Sequence, residues 1–488
     1  MFVKDTNISD ESNSTVDLPI CVDLDGTLIN TDLLLESVVL LLRQCWRKLV
    51  YIPWWLWRGK AYLKSRLAEN VNFDPTELPY NIDLIEYLRQ QNEKGRAIVL
   101  VTASDHKLAN KVSDHLSLFS KVLASDGKLN LKGKKKALAL VENFGEKGFI
   151  YAGNDNCDLA VWKHAHSAIV VNGTRTLTEK ASEVTTVEEQ FPPPGNRILG
   201  LLKAIRYYQW VKNILVFIPA ITGLKLLDVN VIMPTFTIFC AFSVAASGTY
   251  LLNDLMDLEA DRRHPRKRNR PFASGTLPLH YAWLSPLLLL SGIALGFVVS
   301  MWCGLLIALY ATISTTYSIF LKSRPLVDVF TLAVLYTTRV LAGGLAAQLD
   351  VSIWILSFAG FLFLALAFLK RTAEFIQSAD QSQPNVSRRG YTSADVLPLQ
   401  IMGLASSFVS CLVLSLYMDS SIVMSNYQNP IVLWGLVPLF LFWQCRLWLS
   451  TFRGHMDDDP IVYAAKDHVS WGIFSLAFVI YISAIIRL

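Results

Sequence analysis

The sequence predicts two domains of different character: an N-terminal α/β domain, Rossmann-like with a helical cap, and a C-terminal all-α membrane domain of about nine transmembrane helices. Three observations predict it. The 488 residues are 52% hydrophobic and only 17% charged, against roughly 25% charged in an ordinary soluble protein. Charge density falls near residue 195, at the turn-forming segment PPPGN. Short apolar runs alternate with helical patterns before that point, and long uncharged runs follow it. A mean hydropathy of +0.36 excludes a disordered chain, a coiled coil and an ordinary cytosolic enzyme. The net charge of +5 gives no ground for a nucleic-acid partner. Seven scattered Cys with no CxxC indicate neither a disulfide framework nor a zinc site.

Residues 1–18 are polar and acidic with no apolar run, so a flexible N-terminus is expected rather than a cleaved signal peptide. The α/β domain then spans 19–191, a linker 192–198 and the membrane domain 199–488. PICVDLDGT (19–27) reads as an apolar strand ending in acid. AIVLVT (97–102), KVLAS (121–125), FIYAG (149–153) and SAIVVN (167–172) read as four more strands. Helical patterns such as LANKVSDHL and KKALALVENFG lie between them. Such alternation implies a parallel sheet with crossovers, whose ligands sit at the carboxyl ends of the strands. Asp23, Thr102 and Gly153 fall at those ends.

Asp23, Leu24, Asp25, Gly26 and Thr27 form a DxDGT signature. With Thr102, Lys132 and Asp158 following in order, the domain resembles the haloacid dehalogenase-like phosphatases. The resemblance implies that Asp23 is a nucleophile forming an aspartyl phosphate and Asp25 the acid/base group. Thr102 would hold the phosphoryl group and Lys132 would neutralise its charge, with Lys136 as the alternative. Asp23, Asp25, Asn154, Asp155 and Asp158 would hold Mg²⁺. Asn154 stands where the family's GDxxxD pattern has its first Asp, so metal binding is either weakened or shared by Asp155 and Asp158. The segment 34–90 would be a helical cap, and its stretch YIPWWLW either covers the site or touches the membrane surface. The alternative to an active phosphatase is a folded regulatory or scaffolding module.

The apolar half yields spans at 211–227, 230–251, 277–298, 301–321, 326–346, 351–369, 397–418, 427–445 and 469–486. Residues 271–321 contain no Asp, Glu, Lys or Arg, enough for two spans and a tight turn. Alternate loops carry Arg262 to Arg270, then Lys322 and Arg324, then Lys370, Arg371, Arg388 and Arg389, then Arg453 and Lys466. Positive-inside therefore places the N-terminal domain and these loops in the cytoplasm and the C-terminus on the opposite side.

The densest motif is YLLNDLMDLEADRRHPRKRNRPFASG, 250–275. Asn253, Asp257 and Asp261 recur every four residues, with Asp254 three before Asp257, so one broad helix face would present them. Acids at a bilayer boundary are costly unless neutralised. Mg²⁺ bridging them to phosphate oxygens would neutralise them. The basic run after them, with Arg262, Arg266 and Arg270, would bind phosphates directly. A second constellation, 317–344, places Lys322, Arg324 and Asp328 at another mouth. It sets Arg339 inside a span, as a functional group or as half of an ion pair.

These segments resemble the UbiA superfamily of polyprenyl-processing membrane transferases over most of 200–488. The resemblance implies a nine-helix bundle in which Asn253, Asp254, Asp257 and Asp261 bind Mg²⁺ and a diphosphate, with Asp328 completing the site. Asp328 lacks the acidic neighbour that ordinary prenyltransferases of the superfamily carry. YYQWVKNILVFIP (207–219), AFLKRTAEF (367–375), RRGY (388–391) and MDDDPIVYAAKD (456–467) are similar to the polyprenyl-phosphate phosphoribosyltransferases. That branch implies transfer of 5-phosphoribose from phosphoribosyl diphosphate to a polyprenyl phosphate, for cell envelope biosynthesis at a bacterial inner membrane. Lys212, Arg270, Lys322, Arg339, Lys370 and Arg371 would meet the anionic substrates. The N-terminal domain would then remove the 5-phosphate of the product. The alternatives are prenyl transfer from a polyprenyl diphosphate to an aromatic or other hydrophobic acceptor, and a non-enzymatic transporter or scaffold.

Overall fold

The computed structural model describes residues 18–379, 390–456 and 459–486. Apart from Leu18, the expected flexible N-terminus lies outside them, as do Arg388, Arg389, Asp457 and Asp458. The chain divides into two compact units. One is the chain up to Ala204 together with Asp254–Ala282; the other is Ile205–Asn253 with Trp283–Leu488.

The first unit is built on a six-stranded sheet in the order β3-β2-β1-β4-β5-β6. The strands are β1 (Ile20–Val22), β2 (Ile98–Asp105), β3 (Lys121–Ser125), β4 (Ile150–Gly153), β5 (Ser167–Val171) and β6 (Thr186–Phe191). All five pairings are parallel. Central strands buried on both faces read as unbroken apolar runs, which is why β1, β2, β4 and β5 are visible in the sequence. The strand absent from the sequence expectation is β6, TVEEQF, whose acids face solvent at the sheet edge. Ile20 and Val22 join one core and Cys21 the other, as the pleat requires.

Between β1 and β2 the chain inserts a cap of short helices, Leu33–Cys45, Ile52–Trp57 and Lys60–Asn70. Asp32 caps the first of them by accepting from Leu34 N and Leu35 N. The insert returns at Tyr80, which bridges Ile29, and helix Ile82–Glu93 is the crossover into β2.

Asp254–Ala282, expected in the membrane domain, folds with this first unit. Arg262 pairs with Glu36 at 2.5 Å, Arg43 with Glu259 at 2.7 Å and Arg263 with Glu77 at 2.6 Å. Gly275 sits at φ +75°, and a Cβ there would lie 2.4 Å from Asn30 Cβ, so only glycine fits the approach.

Eight helices among the described residues are long and apolar enough to cross a membrane. They are Val229–Met256, Leu279–Val299, Met301–Ile319, Val327–Ala347, Ile353–Ile376, Ser393–Met418, Pro430–Phe452 and His468–Ile485. They coincide with eight of the nine expected spans, several running a turn or two longer. The span expected over 211–227 is instead a 3-10 helix, Tyr207–Phe217, and a short α-helix, Ile218–Thr222. Pro219 and Gly223 bound the short helix. Lys212 and Asn213 are buried among polar partners, Asp459 and Ser243, rather than lipid.

Candidate active sites

The first unit places a polar site where β1 and β4 run side by side, the point at which the strand order reverses. Asp23 follows β1 and pairs with Lys136 Nζ at 2.9 Å. Lys136 also donates to Tyr151 Oη at 2.9 Å and is almost fully buried. Burial would lower its ammonium, but Asp23 and Asp158 outweigh that and raise it. This corrects the sequence expectation. Lys132 is exposed, and the buried lysine on Asp23 is the alternative, Lys136. The reason is the turn at Gly133, which starts helix Lys134–Phe144 and aims its first turn at the sheet.

Asp25 accepts from Leu33 N at 2.8 Å and from Ser104 Oγ at 2.6 Å. Burial pushes its carboxyl up to about 7; Asp32 and Asp23 add to this, against those two hydrogen bonds. Thr102 is fully buried in the second half of β2 and accepts from Ser104 N at 2.9 Å. Lys64 of the cap reaches the same stretch of β2, donating to Ala103 O at 2.6 Å.

The expected metal segment divides. Asp158 is buried, accepting from Asn154 N at 2.9 Å, Asp155 N at 3.0 Å and Tyr151 Oη at 3.1 Å. Burial pushes it up to about 6, with Asp23 adding and Lys136 opposing. It organises the loop. Asp155 is exposed and accepts from Asn156 N at 2.6 Å. Asn154 lies against the DxDGT turn, for a Cβ on Gly26 would meet its Nδ2 at 2.1 Å.

The acidic segment 253–270 breaks where a single helix was expected. Helix Val229–Met256 ends before Asp257, and Leu258–Arg263 follows as a separate short helix. Within the first unit, Arg270 holds Asp254 at 3.1 Å and Asp261 at 2.7 Å. Both carboxylates are buried. Burial pushes Asp261 up to about 6, Arg270 opposing and Asp254 and Asp257 adding. Arg262, expected on phosphate, is instead taken by Glu36 through two hydrogen bonds, at 2.5 and 3.3 Å. Arg266 is exposed.

In the second unit three polar clusters gather Asp328 with Arg371, Arg339 with its neutral partners, and Lys212 with Lys370. Asp328 is fully buried; it accepts from Arg371 Nε at 2.6 Å and Tyr391 Oη at 2.5 Å. Arg371 also donates to Glu374 at 2.7 Å and Tyr317 at 3.1 Å. The expected metal ligand Asp328 and the expected phosphate group Arg371 therefore neutralise one another, because neither is stable alone in an apolar bundle. Arg339 donates to Asn213 at 2.7 Å, to Tyr310 at 3.1 Å and to Leu335 O. It lies over Tyr310, Tyr336 and Phe242 at 4.9, 5.4 and 5.5 Å. These hydrogen-bond partners are all neutral groups.

Lys212 and Lys370 share Asp459, the second at 3.4 Å. Burial would raise Asp459, but Lys212 and then Lys370 outweigh it and hold it well below the usual carboxylate range. Lys322 donates to Asn253 at 3.4 Å, and Arg324 is exposed. An apolar groove of about 460 Å³ is lined by Ile313, Leu326, Val327, Phe330, Thr331 and Val334.

The model of the UbiA prenyltransferase family matches residues 216–459. The chain belongs to the UbiA prenyltransferase family. It is 35% identical over 468 residues to the uncharacterized protein y4nM of Sinorhizobium fredii, a match covering 94% of this chain and 89% of that one. It is 34% identical over 209 residues to the decaprenyl-phosphate phosphoribosyltransferase of Mycolicibacterium smegmatis, covering 41% of this chain and 65% of that one. A solved UbiA homolog from Archaeoglobus fulgidus bound to GPP and Mg²⁺ is 16% identical, covering 58% of this chain and 99% of that one with a TM-score of 0.44.

Among the described residues of this UbiA-family chain, no three His, Cys, Asp or Glu side chains converge as a closed metal cage. Mg²⁺ does not need one. It uses one or two carboxylates, keeps waters and completes its shell with substrate phosphates. Asp254 and Asp261 fit that requirement as two buried carboxylates facing a single guanidinium.

Sequence reasoning missed Ser104, Tyr151, Asp459 and Tyr391. Of these Asp459 and Tyr391 carried a signal, as the last acid of the DDDP run in MDDDPIVYAAKD and the last residue of RRGY.

Proposed function

We propose that this UbiA-family transferase moves 5-phosphoribose from phosphoribosyl diphosphate to a polyprenyl phosphate, and that its first unit removes the 5-phosphate from the product. The observation that carries the reading is the state of the acids. Asp254 and Asp261 face one shared arginine, while Asp328, the acid of the second motif, is consumed by Arg371 and Tyr391. A single acidic segment beside the cation Arg270 suits two anionic substrates. The named phosphoribosyltransferase relative supports the same choice.

Asn253, Asp254, Asp257 and Asp261 would hold Mg²⁺, which supplies charge neutralisation to the departing diphosphate. A lipid phosphate oxygen attacks the anomeric carbon, and the bond from that carbon to the diphosphate breaks with its electron pair. Arg270 is poised to trade its carboxylates for phosphate oxygens.

In the first unit, Asp23 would attack phosphorus, the phosphorus–ribose oxygen bond would break and Asp25 would protonate the leaving oxygen; Asp25 would then take a proton from the water that cleaves the aspartyl phosphate, releasing phosphate and restoring Asp23. A carboxyl raised to about 7 holds a proton near neutrality, as a general acid must. Lys136 fixes the nucleophile and balances its charge. The bundle is read as a bacterial inner-membrane domain with the phosphatase in the cytoplasm and the C-terminus opposite, on the distribution of basic loops.

The test is diphosphate release by the purified full chain supplied with polyprenyl phosphate, phosphoribosyl diphosphate and Mg²⁺, with the lipid weighed by mass spectrometry. Release that needs both substrates, and a ribosyl lipid without the 5-phosphate, is expected. Asp23→Asn should leave the 5-phosphate in place. Turnover only with a prenyl diphosphate and an aromatic acceptor would replace this reading, and no turnover with either pair would favour a transporter or scaffold.

A further inference from the structure

In the first unit, the cap carries an apolar surface that its own core does not use. Residues 46–60 run WRKLVYIPWWLWRGK. Of its short helix Ile52–Trp57, Trp55 is buried in the core and Ile52 packs against it. Trp46, Val50, Tyr51, Trp54, Leu56 and Trp57 are exposed, Val50 at 78% and Trp57 at 84%. Aromatic residues rarely stand so open on a surface without a partner. The same stretch holds Arg47, Lys48, Arg58 and Lys60 and no acid. Arg58 lies over Trp54 at 5.1 Å and Arg47 over Trp46 at 5.9 Å, so cations sit beside the rings.

A second segment of the same unit has the same chemistry. Helix Arg197–Ala204 buries only Gly200 and Ala204 and exposes Ile198, Leu199 and Leu202, Ile198 at 72%. Its charged residues are Arg197 and Lys203.

From these two surfaces we infer that the first unit docks on the bilayer that holds the spans, through anionic phospholipid headgroups bound at 46–60 and 197–204. Trp and Tyr seat at the headgroup level, and lysine and arginine meet anionic lipid. A chain with eight membrane-length helices keeps that ligand beside it. A second copy is a poorer occupant, because a two-fold contact through 46–60 would set cations against cations. The inference is independent of whether the phosphatase turns over.

The experiment places the photo-crosslinking residue p-benzoylphenylalanine at Trp57, at Ile198 and, as control, at exposed Glu183, each in the full chain. Each chain is held in nanodiscs of neutral lipid with or without phosphatidylglycerol. Positions 57 and 198 should give about tenfold more lipid adduct than position 183, with phosphatidylglycerol over-represented. Arg58→Glu combined with Lys60→Glu should remove that over-representation. Lipid adduct no higher than at position 183, or crosslinks to a second copy in its place, would overturn the inference. Using both positions separates a local folding defect at Trp57 from absence of docking.

Discussion

Asp328→Asn distinguishes a metal ligand from a structural anion. The carboxylate is fully buried and accepts from Arg371 Nε at 2.6 Å and Tyr391 Oη at 2.5 Å. Removing one partner of a buried pair costs about 3–5 kcal/mol, because the other charge is left behind. Arg371 keeps Glu374 at 2.7 Å and Tyr317 at 3.1 Å, which favours the lower end. About 3 kcal/mol is roughly a hundredfold in the folded ratio. The assay is denaturation of the full chain in detergent, with and without Mg²⁺. Asp328→Asn should be destabilised at every Mg²⁺ concentration, and the concentration giving half the Mg²⁺-induced stabilisation should stay within about twofold of wild type. Asp328→Asn with Arg371→Met should be more stable than Asp328→Asn alone, because the buried guanidinium that lost its Asp328 partner is removed, while Glu374, which also loses Arg371, is partly exposed. An Asp328→Asn chain as stable as wild type, yet needing about tenfold more Mg²⁺, would refute the reasoning and return Asp328 to the metal site.

Three further outcomes are expected. Asp254→Asn and Asp257→Ala should each lower diphosphate release about a hundredfold or more, read by a coupled phosphate assay; unchanged release would remove the acidic segment from the site. Lys136→Met should abolish hydrolysis of p-nitrophenyl phosphate, while Lys132→Met should change it less than about threefold. The reverse ranking would restore the lysine that the sequence favoured. Arg262→Ala leaves Glu36 buried and uncompensated, so amide exchange in 254–282 should speed up markedly, consistent with about 3 kcal/mol lost. Unaltered exchange would mean that the pair does not hold that segment.

Much of this protein was readable from the order of its residues. Eight spans follow from length and hydropathy alone, because a bilayer demands long unbroken apolar helices. The central strands followed from the same logic, since β1, β2, β4 and β5 are buried on both faces. The edge strand β6, with its exposed acids, gave no such signal. Asp23 and Asp25 were found because a strand end, a paired acid and a glycine turn lie next to one another in the chain.

Tertiary structure decided the partners. Whether a buried charge is a ligand or a counter-ion depends on what another helix brings to it, and one sequence does not hold that distance. Asp328 and Arg371 stand 43 positions apart, Lys212 and Asp459 247, and Glu36 and Arg262 226. Asp328, Arg371, Lys212 and Arg262 each looked like a functional charge when read alone. Burial in an apolar interior forces such charges into pairs, and the fold pairs Asp328 with Arg371, Arg262 with Glu36 and Asp23 with Lys136. Composition and periodicity set where the chain is buried, whereas the fold alone sets which charges meet there.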